Sequence, residues 1–151
     1  IFLRLVVMVP DFYLSTKSAR QVLPSEVPMK DAVFNISHAA MMVAALARGS
    51  EKHLENAFAD ALHQNYRAPL IPGMFDVFAA AKKAGAYGAA LSGAGPCLIA
   101  FVPEHRKCTE AVAAAMQDAF RAHEIEARSL HLRLDTKGAR VLRRRDMNLK
   151  R

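Results

Sequence analysis

Three features of this chain have the chemistry to hold a small anion: the arginines Arg20 and Arg67, His63 close to the second of them, and the loop Ser92-Gly93-Ala94-Gly95, closed by Pro96. A guanidinium grips a carboxylate or phosphate through two parallel hydrogen bonds, a geometry that a lysine ammonium does not offer. Glycines on both sides of Ala94 let the backbone approach an oxygen-rich group without interference from side chains. The loop has neither the GxxxxGK of a Walker loop nor the GxGxxG that opens a dinucleotide-binding helix. Taken singly, each arginine reads more readily as a surface residue than as a ligand and the loop more readily as a tight hairpin than as a binding site, and spacing alone does not bring the three together. HExxH, GxSxG and a framed pair of carboxylates are all missing from the sequence. No self-contained hydrolase or metalloenzyme is therefore indicated, no catalytic residue is assigned, and no metal ligand.

The elements that must position these residues follow from the pattern. The apolar start up to Val9 reads as a buried strand, ended by Pro10 and Asp11. Ser15 or Thr16 caps a short helix carrying Thr16 and Arg20 on one face. Residues 30–48 form the strongest helix, apolar nearly all round and so expected to be buried on most sides. Its Asp31, Asn35 and His38 make a polar stripe, either a solvated edge or the wall of a site, with the edge favoured. Ser50 caps a further helix expected to run on to about Tyr66, leaving Arg67 at its end ahead of the extended Ala68-Pro69. Residues 73–84 make another helix, stopped by Gly85. Strands at 87–92 and 97–102 flank the glycine loop, and a long helix covers 105–123. In the last strand Leu130, Leu132 and Leu134 alternate with Ser129, His131 and Arg133. Strand, helices, strand, strand, helix, strand is the order of an α+β, ferredoxin-like sandwich, a four-stranded antiparallel sheet covered on one face by helices.

The chain has 151 residues, of which 52% are hydrophobic and 23% charged, the size and composition of one globular domain. The formal net charge of +7 suggests nucleic acid until it is divided along the sequence. Residues 143–151 hold five basic residues against one acid, a net +4 that leaves +3 for residues 1–142. The basicity is a tail, expected to be frayed, and no basic face with interleaved aromatics supports a nucleic-acid partner. Cys97 and Cys108 have neither zinc nor disulfide spacing, which fits a reducing cytoplasm. The apolar start is too short to cross a membrane. Because the chain opens inside a strand, polypeptide upstream of Ile1 is expected.

Four stretches in this order and spacing, PDFYLSTKSARQVLP, KDAVFNISHAA, LHQNYRAPLIPG and GAYGAALSGAGPCLIAF, resemble the homoserine kinases within the GHMP small-molecule kinase superfamily. The resemblance runs from about Val6 to Leu142 and covers only the C-terminal half of such an enzyme, so residues 1–142 are expected to be its C-terminal domain. It implies transfer of the ATP γ-phosphoryl group to the hydroxyl of L-homoserine, with ATP and Mg2+ held mainly by an N-terminal nucleotide-binding domain that this sequence does not contain. It also implies substrate-side roles for Thr16, Arg20, Arg67 and Gly93, with Ser92, Gly93, Ala94 and Gly95 as the phosphate and substrate loop. The implied partners are L-homoserine, the chain's own N-terminal domain and a second copy in a homodimer. Two other readings stay open: a GHMP kinase for a mevalonate- or sugar-like alcohol, and a non-catalytic small-molecule-binding or oligomerisation module.

Overall fold

A short, nearly continuous apolar run ended by Pro10 and Asp11 makes the first strand, β1 (Leu3–Pro10), and the sheet is assembled around it. In the computed structural model, which describes residues 2–135, 137–139 and 141, four strands run antiparallel in the order β2-β3-β1-β4. The others are β2 (Gly88–Leu91), β3 (Leu98–Pro103) and β4 (Ala127–Arg133). Residues 143–151, the basic tail, lie outside the described residues.

The helices are α1 (Thr16–Gln21), α2 (Met29–Arg48), α3 (Glu51–Glu55), α4 (Gln64–Arg67), α5 (Met74–Lys83) and α6 (Thr109–Arg121). On one sheet face Val6, Met8, Leu98, Ala100 and Val102 meet Val77 of α5 and Val112, Met116 and Phe120 of α6, all fully buried. This is the α+β sandwich that the element order implies. Register assigns the two faces of β4. His131 and Ser129 lie opposite Val6 and Met8, on the helix side, whereas Leu130 and Leu132 lie opposite Val7 and Leu5, away from α5 and α6. A smaller cluster of Leu3, Ala45, Leu54 and Tyr87, joined by Met42, Phe58 and Phe101, unites the end of α2 and α3 with β1 and β3. Gly88 has to be glycine there, because a Cβ at that position would overlap the Phe58 ring.

Three sequence expectations are corrected. Ala68, expected to be extended before Pro69, is instead helical (φ −51°, ψ −41°) and starts a 3-10 turn over Ala68–Leu70. Only Ala45 of α2 is buried, while Val33, Ile36 and Val43 are 54%, 68% and 69% exposed. The all-round apolar pattern does not report burial here. Its inner ridge makes contact at 35, 42 and 45, and the outer residues Met29, Val33, Ile36, Ala40, Val43 and Ala47, at alternating spacings of four and three, form an uncovered seam. The helix expected from Ser50 to Tyr66 is two short helices, because the Asp60 carboxylate captures backbone amides of the second one and restarts it.

Tyr87 is fully buried, and its hydroxyl has no hydrogen-bond partner among the described residues. Burial, reinforced by the negative charge of Glu51, pushes its pKa from 10.0 up to about 12. A raised phenol favours the folded state below the unfolded pKa, and that contribution disappears as pH rises through the folded one. The melting temperature is therefore expected to fall between pH 10 and pH 12. Tyr87→Phe should flatten this decline and leave neutral-pH stability unchanged or higher, since it removes an unpartnered buried hydroxyl. Thermal melts across that range check it. A Tyr87→Phe protein that melts several degrees lower at pH 7 would contradict the assignment.

Candidate active site

α1 begins where Ser15 Oγ accepts from the Ser18 amide at 3.0 Å, so Ser15 rather than Thr16 supplies the cap. Ala19, on the inner side of α1, is fully buried, while Arg20 beside it is exposed. Arg67, the last residue of α4, reaches this helix. Its Nε donates to the Ala19 carbonyl at 3.0 Å, and its Nη1 donates to the Gly93 carbonyl at 3.2 Å. The same Nη1 lies 3.5 Å from His63 Nδ1. One guanidinium thus joins α1, α4 and the glycine loop. Arg67 meets Gly93 and the Ala19 carbonyl, while no side-chain hydrogen bond among the described residues joins Thr16 or Arg20 to Arg67 or to the loop.

The loop divides into two parts. Ser92 N donates to Cys97 O at 2.8 Å and Gly95 N to Ser92 O at 3.3 Å, so these amides close the turn. Gly95, at φ +89°, faces inward, where a Cβ would press on Ile71 and Leu91. Gly93, at φ +65°, has open space beyond its Cα, and the positive φ is what favours glycine there. Gly93, exposed, and Ala94, half-buried, form the crest, with Arg67 bonded to the Gly93 carbonyl.

Sequence reasoning passed over the residues that support this arrangement. Asp60 takes hydrogen bonds from Asn35 Nδ2 at 2.7 Å, from the amides of Leu62 (3.3 Å) and His63 (2.9 Å), and from the Gln64 amide. Burial acts to raise its pKa, but the hydrogen bonds from Asn35, Gln64 and His63 outweigh it and hold the carboxyl below the ordinary aspartate value of 3.8. Asn35 Oδ1 in turn accepts from the Ala61 amide at 2.7 Å, so Asn35 is a tie rather than a solvated edge. Gln64 is buried, and its Oε1 accepts from the Leu91 amide at 2.8 Å, one residue before the loop. The available signal was Asp60 itself, since an aspartate accepts readily from amides two and three residues on, here those of Leu62 and His63.

Among the described residues no group of three His, Cys, Asp or Glu side chains is placed to hold a metal ion. No helix of the described residues is long and apolar enough to cross a membrane.

The family described as "GHMP kinases C terminal" matches residues 42–124, more than half of the chain. The chain belongs to that family. The homoserine kinase of Desulfitobacterium hafniense is 44% identical over 135 residues, which are 89% of this chain and 45% of the relative. The homoserine kinase of Gloeobacter violaceus is 54% identical over 112 residues, 74% of this chain and 37% of the relative. Among solved structures, the crystal structure of homoserine kinase from Cytophaga hutchinsonii superposes with a TM-score of 0.80 at 29% identity, covering 85% of this chain and 41% of that one. The chain spans less than half the length of the curated relatives it matches. This GHMP-kinase C-terminal domain has the four-stranded antiparallel sheet of that structural neighbour.

Proposed function

We propose that this domain is the substrate-binding half of a homoserine kinase, which transfers the ATP γ-phosphoryl group to the L-homoserine hydroxyl and gives O-phospho-L-homoserine, a step toward threonine. The observation that carries the reading is Arg67 held between the carbonyls of Ala19 and Gly93, at the junction of α1 and the loop crest. A guanidinium has five N–H donors in a fixed fork, and two of its nitrogens are directed at these carbonyls, so Nη2 is left for a substrate carboxylate. Arg20, one residue from the Ala19 carbonyl, supplies a second cation, and Thr16 a hydroxyl from the same helix. The Gly93-Ala94 crest lets the substrate approach the backbone closely.

Phosphoryl transfer depends on positioning and charge stabilisation, and Mg2+ bound with ATP supplies part of the latter. The residues of this chain orient the amino acid, while nucleotide and metal contacts are assigned to an N-terminal domain outside it. We place that domain, or a second copy in a homodimer, against the apolar residues left exposed on α2 (Ile36, Val43) or on the outer face of β4 (Leu130, Leu132). The unpaired Cys97 and Cys108 fit a cytoplasmic enzyme.

The test is a fusion of this chain to the portion of the Desulfitobacterium hafniense enzyme that it does not match. ATP-dependent phosphorylation of L-homoserine, well above that of mevalonate or galactose, is the expected result. A folded fusion that phosphorylates another alcohol, or none while the intact relative does, would reject the homoserine assignment.

A further inference from the structure

α4 is four residues long, far too short to be helical by itself, yet it carries Arg67 at one end and Gln64 at the other. Its geometry has to come from outside, and one carboxylate supplies it. The Asp60 side chain is 8% exposed and collects the Leu62, His63 and Gln64 amides on one side and Asn35 of α2 on the other. His63 Nε2 lies 3.6 Å from the same carboxylate, while its Nδ1 faces Arg67. From this turn Gln64 reaches the Leu91 amide at the end of β2, and Arg67 reaches Ala19 and Gly93. We propose that Asp60, locked to Asn35, is a positioning residue that fixes Arg67 and the glycine loop in the geometry that receives the amino-acid carboxylate. The last clause rests on the substrate reading above; the coupling between Asp60 and Arg67 does not.

Donor and acceptor counting provides a sharp test. In Asp60→Asn a new amide NH2 faces the Asn35 NH2, and if Asn35 turns over, its NH2 faces the Ala61 N–H instead. Either way two donors confront each other. The exchange pair combines Asn35→Asp with Asp60→Asn. The carboxylate now on α2 accepts from the Ala61 N–H and from the amide that replaces the original carboxylate, while the oxygen of that amide still accepts from His63 and Gln64. The pairing between the two elements is restored with its direction reversed, and only the 3.3 Å bond from the Leu62 amide to the oxygen facing Asn35 is given up.

The measurements are nitrogen-15 NMR of the Arg67 Nε–H, hydrogen exchange at the Leu91 amide, and calorimetric titration with L-homoserine, all on the 151-residue chain. Asp60→Asn should erase or strongly shift the Arg67 Nε–H signal and speed Leu91 exchange by roughly tenfold, with L-homoserine affinity falling by a similar factor. The exchange pair should recover each to within about threefold, the ordinary scatter of such contributions. A folded Asp60→Asn protein with an unchanged Arg67 signal overturns the proposal even if it melts lower, as does an exchange pair that stays unfolded or fails to recover. If the native chain binds no L-homoserine while the Arg67 signal responds as described, the substrate reading fails and the positioning role stands.

Discussion

Replacing Arg67 with leucine in the active fusion is expected to raise KM for L-homoserine by about 100-fold, a loss of ~3 kcal/mol, with KM for ATP changed less than about twofold. The asymmetry follows from what the guanidinium touches. Its Nε and Nη1 bond Ala19 and Gly93, the groups that flank the carboxylate site proposed above, while the nucleotide is assigned there to an N-terminal domain outside this chain. The loss has two parts. One is the charge-assisted grip on the carboxylate, and the other is the link that sets α1 against the loop crest. Arg67→Lys separates them, because a lysine keeps the charge but is a point donor that cannot serve two carbonyls and a carboxylate together. Its KM should rise about tenfold, between native and leucine. Steady-state kinetics with each substrate varied at saturation of the other provides the measurement. Equal and small changes in both KM values would remove Arg67 from the substrate site.

The parts of this site that were legible in the sequence are those where a residue type is chemically restricted. Gly93 needs its positive φ and Ser15 stands where a cap belongs, whereas the extended Ala68 expected before Pro69 is instead the first residue of a 3-10 turn that continues from Arg67. β4 was legible because leucines alternate with polar residues along it, and β1 and β3 because each is a short, β-branched-rich apolar run closed by a proline. Asp60 and Asn35 were not, since their partners are backbone amides and each other across 25 positions, and nothing in a one-dimensional pattern marks that meeting. α2 failed for a different reason. Periodicity reports which residues are apolar, and burial depends on whether another element covers them. Ile36 and Ala45 fit equally well in the pattern, yet one is 68% exposed and the other 1%.

That difference between α2 and α6 gives the second large effect. Phe120 is completely buried on α6 among the side chains that fill the space between helix and sheet. Phe120→Ala removes most of a ring and leaves a cavity, a change that costs about 3–5 kcal/mol in well-packed cores. A domain of this size has only ~5–15 kcal/mol in total, and each kcal/mol moves the midpoint by about 2–4 °C, so the melting temperature should drop by roughly 10–15 °C. Ile36→Ala, on the uncovered seam of α2, should move the isolated chain by no more than about 0.5 kcal/mol, because it deletes little buried surface and alanine is the better helix former. In the active fusion the same Ile36→Ala should become destabilising by about 1 kcal/mol or more if polypeptide covers the seam there, because burial then adds to the cost. Paired thermal melts of both variants in both proteins read this out. A Phe120→Ala chain that melts within about 2–3 °C of native, less than the shift from ~1 kcal/mol, would mean that α6 does not seat on β1 and β3 as described.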